Sequence, residues 1–441
     1  MRGAEINQKY LGMIIESGKK YLNDYNITVE KVKNSSAQYK GKPVPFLYSP
    51  MFFSPEEEEF LKDVVKKITN IGNKVTDKYI ESAEYRKGYG FPKFIEEMIL
   101  RDNKYKDHFP VGRFDIFYNS PGDFKFCELN TDGSSAMNED NTIANILLES
   151  EALKDFNKEF DMKNRELFDT WVDASLQLYR QWKGVDHKPN VAIVDFVESG
   201  TSAEFLEFKK AYEKKGLDCI IADPRDLVYK DGGLYKDEYR IDLVYRRIVT
   251  FELIQKYEEV PDFIKAYMDD VMCTIGTIRS QVIHNKLFFK RLHDADTKAF
   301  LTDEENEFVK KHIPFTGILG NDENVRSEVV KNKDRYILKP MDMNASQGVY
   351  IGKDMDGENW KEAVEKSFDS DYLYQEFVEP PVRAFPVFHD GEFTSEQMKS
   401  IVGLFAYNGE YSGIYTRLSR SNIISGVTNY YAVPNIIAFK K

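Results

Sequence analysis

The chain is poor in the residues that most often run covalent or redox chemistry. Its 441 residues include three cysteines, six histidines and three tryptophans. Cys127, Cys219 and Cys273 lie far apart and match no metal-binding or redox spacing. An odd, sparse count fits a reducing compartment better than a disulfide framework. No apolar run approaches the length of a membrane-spanning helix, and Met1-Arg2-Gly3-Ala4-Glu5 leads into polar sequence rather than a signal-peptide core. A cytoplasmic protein with no membrane partner is expected. Positive charge is also short: 61 Lys and Arg face 73 Asp and Glu, for a net charge of −12. That excludes a global basic field of the kind that gathers nucleic acid. A GxGxxG run after the first apolar strand of the central region is missing as well, which disfavours a dinucleotide site.

What remains is a soluble globular composition, 42% hydrophobic and 30% charged. A chain of this length exceeds one ordinary core, so two or three packed subdomains are expected. Aromatics reach 14%, mostly 27 Tyr and 31 Phe. Such rings bury much surface each and suit pockets that stack a planar base.

Periodicity suggests four regions. Residues 1–110 read as mainly helical. Ser54-Pro55-Glu56-Glu57 is a helix start, with a hydroxyl cap, proline at the first position and acids against the positive end. Phe60, Leu61, Val64, Val65 and Ile68 then make its buried face. Residues 111–185 open on a β-hairpin, Gly112 to Tyr118 and Phe124 to Asn130, and return to helix. Strict alternation puts Arg113, Asp115 and Phe117 on one face of the first strand, and Phe124, Phe126, Glu128 and Asn130 on one face of the second. Residues 186–284 alternate strand and helix: Val191 to Asp195, a helix capped by Ser202 and ended by Gly216, then Asp218 to Ile221 and Asp242 to Tyr245. That rhythm implies a parallel sheet. Residues 285–441 mix strands and helices, with Asn408-Gly409 as a tight hairpin turn.

Several clusters can carry chemistry. Asp115, Glu128 and Asn130 offer the oxygen ligands that Mg²⁺ wants, with Arg113 beside them to neutralise developing charge. A surface hairpin with a solvated salt bridge reads equally well from spacing. Lys339 ends a strand before the loop 340–348, which suits phosphate binding by backbone amides or is an ordinary exposed loop. Tyr374-Gln375-Glu376-Phe377 runs into Pro380-Pro381, either an adenine-binding hinge or an edge strand stopped by prolines.

In this order, Arg113-Phe114-Asp115, Glu128-Leu129-Asn130, Asn285-Lys286, Lys339-Pro340, Tyr374-Gln375-Glu376 and Gly413-Ile414-Tyr415-Thr416-Arg417 resemble the synthetase domain of glutathionylspermidine synthases. The likeness runs from about Val111 to the C-terminus. It implies an α/β, ATP-grasp-like fold in circularly permuted order, with a nucleotide-fold-like parallel-sheet subdomain. It also implies an ATP- and Mg²⁺-dependent ligase that joins a carboxylate to an amine. Asp115, Glu128 and Asn130 would hold Mg²⁺, and Arg113 would stabilise the transferring phosphoryl group. Lys286 and Lys339 would meet ATP phosphates under the loop that includes Gln347, and Gln375 and Glu376 would sit in the adenine cleft. Ser134, Ser135, Glu198, Arg246, Arg247 and Arg417 would line the substrate pocket. Asn344 and Ala345 stand where the family tends to carry glycine, and Arg246-Arg247 replaces a lysine- and tryptophan-containing run. No counterpart of the family's N-terminal cysteine amidase is seen. Glutathione, another peptide or an amino acid would fit as carboxylate, and a polyamine is among the candidate amines. A non-catalytic nucleotide- or peptide-binding protein and a small-molecule kinase are the rival readings.

Overall fold

A computed structural model describes residues 1–342, 348–425 and 430–441. The N-terminal region is mainly helical, as its periodicity suggests. A long helix, Gly3–Lys33, buries Ile6, Tyr10, Ile14, Tyr21 and Val32. The second, Pro55–Glu81, starts with a full capping box: Ser54 Oγ accepts from the Glu57 amide at 3.2 Å, and Glu57 Oε2 accepts from the Ser54 amide at 2.9 Å. Leu61, Val64, Val65 and Ile68 enter the main core, with Phe60 packed against it. Short strands at Gln38–Tyr39, Lys42–Pro43 and Met51–Phe53 interrupt this region and are too brief for alternation to reveal.

The predicted hairpin is present as Val111–Ser120 and Asp123–Asn130. Its first strand pairs with the long C-terminal strand Glu392–Tyr407, which turns through Asn408-Gly409 into Glu410–Ser419. Asn408 and Gly409 have φ of +50° and +77°, matching the left-handed pair a two-residue turn needs. One six-stranded sheet thus joins residues near 115 to residues near 417.

One alternation expectation fails. The register slips between Asp115 and Ile116, so that Asp115 opposes Glu128 while Ile116 opposes Phe126. Cys127 is the extra residue of a β-bulge. It turns Glu128 and Asn130 to the Arg113–Asp115 face, while Phe124 and Phe126 pack on Phe308 in the core. Without the bulge, strict alternation would carry Glu128 into the apolar side with Phe126.

The parallel sheet is also present, in the order Cys273–Ile275, Leu243–Arg246, Val191–Val194, Cys219–Ala222. Its helix Ser202–Lys214 is preceded by Thr201 as cap, not Ser202, with no side-chain capping bond, and Gly216 follows it at φ +73°. A second small sheet, Thr316–Ile318, Tyr372–Glu376, Tyr336–Pro340 and Tyr350–Ile351, has a core of its own around Leu338, Val329 and Trp360. Residues 285–441 therefore feed three sheets, the third through Asn435–Lys440 paired with Met51–Phe53 and Phe160–Lys163. No helix among the described residues is long and apolar enough to cross a membrane.

Under the large sheet, Asp140 is buried and its Oδ1 accepts from the Asn435 backbone amide at 3.1 Å and side-chain amide at 2.8 Å. Burial outweighs those bonds and pushes the carboxyl up to about 8. The folded state thus holds a proton that the unfolded chain releases near pH 4. Its contribution to stability is full below pH 4 and is lost as pH rises toward 8. Asp140→Asn is expected to flatten the decline between pH 4 and 8 in urea unfolding. An unchanged pH slope would refute the assignment.

Candidate active site

Where the hairpin, the parallel sheet and the small sheet meet, a cavity of about 590 Å³ opens. Arg113, Glu128, Asn130, Lys286, Lys339 and Arg417 share its wall. Asp115 stands behind them, fully buried, and organises two of them. Arg113 donates to it from Nε at 2.8 Å and Nη2 at 3.1 Å, and Arg417 donates from Nη2 at 2.6 Å. Asn130 Nδ2 adds a bond at 3.1 Å. The Tyr415 ring stacks between the guanidiniums, 5.6 Å from Arg113 and 5.5 Å from Arg417, and its hydroxyl donates to Glu139. Asp115 was expected to be a metal ligand. As placed, both its oxygens are taken by arginine, so it aims Arg113 and Arg417 into the cavity from behind.

Glu128 faces the opposite situation. Burial raises its pKa, but Lys286, Lys339, Arg417 and Arg113 overcome that and hold it at about 2. For Lys286, burial prevails over the attraction of Glu128 and its pKa falls. Four cations, Lys286, Lys339, Arg417 and Arg113, cluster around Glu128, while acids such as Asp195, Glu198 and Glu376 share the rest of the wall. Such a local cluster favours an anionic ligand beside Glu128.

Lys339 Nζ donates to Gln375 Oε1 at 2.8 Å and to the Cys127 carbonyl at 3.2 Å. Gln375 in turn donates to Thr316 Oγ1 at 2.9 Å. Its side chain therefore holds the lysine, while Glu376 is the exposed residue of that strand on the cavity wall. Burial pushes the Cys127 thiol up to about 11, which keeps it protonated at neutral pH. Gln347, expected over the phosphates, lies outside the described residues.

The expected substrate residues divide. Ser134, Ser135, Arg247 and Arg417 line the cavity, and the Ser135 carbonyl accepts from Arg113 at 3.0 Å. Glu198 is on its exposed rim, paired with Arg225 at 2.7 Å and Lys256 at 2.6 Å. Arg246 is absent from the lining. It is fully buried behind it, bonded to Asp132 at 2.5 Å and to the Gly276 and Ile248 carbonyls. Arg246 ends the strand Leu243–Arg246, and of the two only Arg247, just beyond it, faces the cavity. The acid Asp195, also on the wall, is pushed up to about 7 by burial.

Gly403 is a site residue that motif reading missed. It lies opposite Asp115 in the sheet, and a Cβ there would sit 2.7 Å from Asp115 Oδ1 and 2.8 Å from Arg113 Cδ. The cross-strand neighbour of the Asp115–Arg113 pair must be glycine. Gly403→Ala is expected to cut the protein's turnover about tenfold by displacing Arg113, with a smaller loss in unfolding free energy. Turnover as in the unmodified protein would show that the pair tolerates the shift.

The sequence profile of the glutathionylspermidine synthase preATP-grasp family matches residues 45–438. The chain belongs to that family. No curated protein matches it. Among solved structures, a glutathione synthetase-like effector from Globodera pallida is similar, with 13% identity, 97% of each chain covered and a TM-score of 0.58. That likeness shows the shared fold. A putative gamma-glutamylcysteine synthetase from Methylobacillus flagellatus, 10% identical over 88% of this chain and 90% of that one, has a TM-score of 0.47. The cleft lies wholly within the stretch that the glutathionylspermidine synthase profile covers, except for Tyr39 and Lys40.

Proposed function

We propose that this protein is an ATP- and Mg²⁺-dependent carboxylate–amine ligase that forms an amide through an acyl phosphate, releasing ADP. The observation that carries it is the cluster of Arg113, Arg417, Lys286 and Lys339 around an ionised Glu128, in a chain of this family. The substrate carboxylate attacks the γ-phosphorus of ATP, and the bond to the bridging oxygen breaks to give ADP. The amine nitrogen then attacks the acyl carbon, phosphate departs and the nitrogen sheds a proton.

Lys286 and Lys339 bind the phosphates as point charges, with Lys339 fixed by Gln375. Arg113 and Arg417 are held by Asp115 toward the place where charge develops, so little reorganisation is needed at the moment of transfer. Mg²⁺ takes one or two carboxylates and completes its shell with phosphates and water. Glu128 and the Asn130 amide fit that demand, whereas Asp115 fits as their support. Among the described residues, no group of three or more His, Cys, Asp or Glu forms a richer metal cage. The bound ion would neutralise charge on the phosphates. Positioning and electrostatics suffice for this chemistry, which agrees with a protonated Cys127 and few histidines. Glu376 and the neighbouring strand suit the adenine, and Ser134, Ser135, Arg247 and Arg417 the carboxylate substrate. A peptide or amino acid is the carboxylate, a polyamine is one candidate amine, and the setting is cytoplasmic.

The test is ADP release with carboxylates crossed against amines, followed by product mass. Support requires ADP formation that depends on both substrates, and a product of their joined mass less water. A stable phosphorylated product without amine dependence would mark a kinase. ATP binding with no substrate-stimulated ADP would mark a binding protein.

A further inference from the structure

We propose that Lys40, at the tip of the N-terminal hairpin, is a specificity residue that binds a second carboxylate on the acid substrate, away from the one that reacts. This rests on the ligase reading above. The family profile begins at residue 45, yet Tyr39 and Lys40 form part of the cavity wall. The stretch before it is no loose tail. Helix Gly3–Lys33 buries six large apolar side chains, and Lys31 pairs with Glu149 at 2.9 Å.

The hairpin itself is fixed. Gln38 pairs with Pro43 and Tyr39 with Lys42, leaving Lys40-Gly41 as a two-residue turn with φ of +48° and +72°. Two positive φ values match the twist of the strands and give a stiff tip. At its base, the Ser36 carbonyl accepts from Asn138 Nδ2 at 2.7 Å, and Ser36 Oγ bonds Thr142 Oγ1 at 3.2 Å. The Asn138 amide reaches Glu204 at 3.3 Å, and Glu204 holds Arg247 at 2.7 Å. The tip is thereby tied to the Ser134–Arg247 end of the cavity, away from Lys286 and Lys339.

Charge supplies the ligand class. Arg113 and Arg417 are paired with Asp115, Arg247 with Glu204, and Lys339 is fixed by Gln375. Lys40 is exposed on the same wall, rests over the Tyr39 ring at 5.7 Å, and has no ion-pair partner among the described residues. An uncommitted ammonium on a stiff support is a receptor for an anion. A peptide with two carboxyl groups carries such an anion besides the carboxylate that reacts.

Equilibrium binding in the presence of Mg·ADP tests this on a panel of di- and tripeptides that each carry two carboxylates, glutathione among them, each as the dianion and with its non-reacting carboxylate amidated. The unmodified protein is expected to prefer the dianion. Lys40→Glu should weaken the dianion about tenfold and the amide less than about twofold, and Lys40→Arg should restore the preference. Mg·ADP affinity should hold in all three. No preference in the unmodified protein, no panel peptide bound, or equal loss of both forms in Lys40→Glu would overturn the assignment. Failure of the ligase reading shows separately, as no amine-dependent ADP release from the unmodified protein.

Discussion

Glu128→Ala is expected to lower amine-dependent ADP release by about 10²–10³-fold. The reason is charge placement. Glu128 is the one carboxylate on the wall that faces Lys286, Lys339, Arg113 and Arg417 together, and they keep it ionised well below neutral pH. Removing it leaves Asp115, whose oxygens are already bonded to the arginines. Metal-free nucleotide should bind as well or better, because four cations then face the phosphates with less competition. The Mg²⁺ concentration needed for half-maximal turnover should rise. Glu128→Gln separates charge from shape, since it keeps the volume and an oxygen for Asn130, which donates at 3.3 Å in the native pair. Turnover unchanged in both variants would remove Glu128 from the mechanism. Tighter metal-free nucleotide binding with lost turnover is the signature expected.

The largest stability effect is expected at an ion pair buried between the cavity wall and the core. Arg246 and Asp132 pair at 2.5 Å with side-chain exposures of 0% and 1%. Asp132 also accepts from the Thr250 amide at 2.6 Å and from Gln281 Nε2 at 2.8 Å. Truncating either partner strands a charge away from water, at a cost of about 3–5 kcal/mol. Asp132→Ala leaves the Arg246 guanidinium on three backbone carbonyls with no counter-charge, and Arg246→Ala leaves the carboxylate on neutral donors. Urea unfolding should show both losses. The double replacement should cost clearly less than their sum, because the stranded charge is then gone. By contrast, Lys9→Ala, which removes a pair with Glu159 in which both side chains are over 40% exposed, should change stability by less than about 1 kcal/mol. Additive losses at Arg246 and Asp132 would contradict the pairing.

Much of this architecture is legible in local sequence. Ser54-Pro55-Glu56 marks a helix start because a hydroxyl, a proline and an acid each satisfy one requirement of that end. Asn408-Gly409 marks a turn for the same kind of local reason. Lys286, Lys339, Glu128 and Arg417 are individually weak signals whose order in the chain made them candidates, and the fold brings them to one cavity. What stayed hidden depends on pairing between distant residues. The bulge at Cys127 exists because two strands must meet in a particular register, and no single strand states its register. Arg246 and Arg247 are adjacent and chemically alike, so only the position of Asp132, 114 residues away, shows which one turns inward. Gly403 reads as an ordinary strand residue until Asp115 is placed against it. Lys40 sits on a short hairpin that no motif frames.

The sheet that joins Val111–Ser120 to Glu392–Tyr407 also sets when the cleft can exist. Asp115 and Arg417 are 302 residues apart, and the terminal strand Asn435–Lys440 closes on Met51–Phe53 and Phe160–Lys163. Contacts of such separation form late, since the chain between them must first be gathered. On the ribosome, the helices of the first hundred residues can form early, but Arg113 and Asp115 wait without their partner strand for most of synthesis. Until then the edge of the Val111–Ser120 strand is open to any passing strand. The fold therefore places its greatest exposure to misassembly on the strand that carries its chemistry.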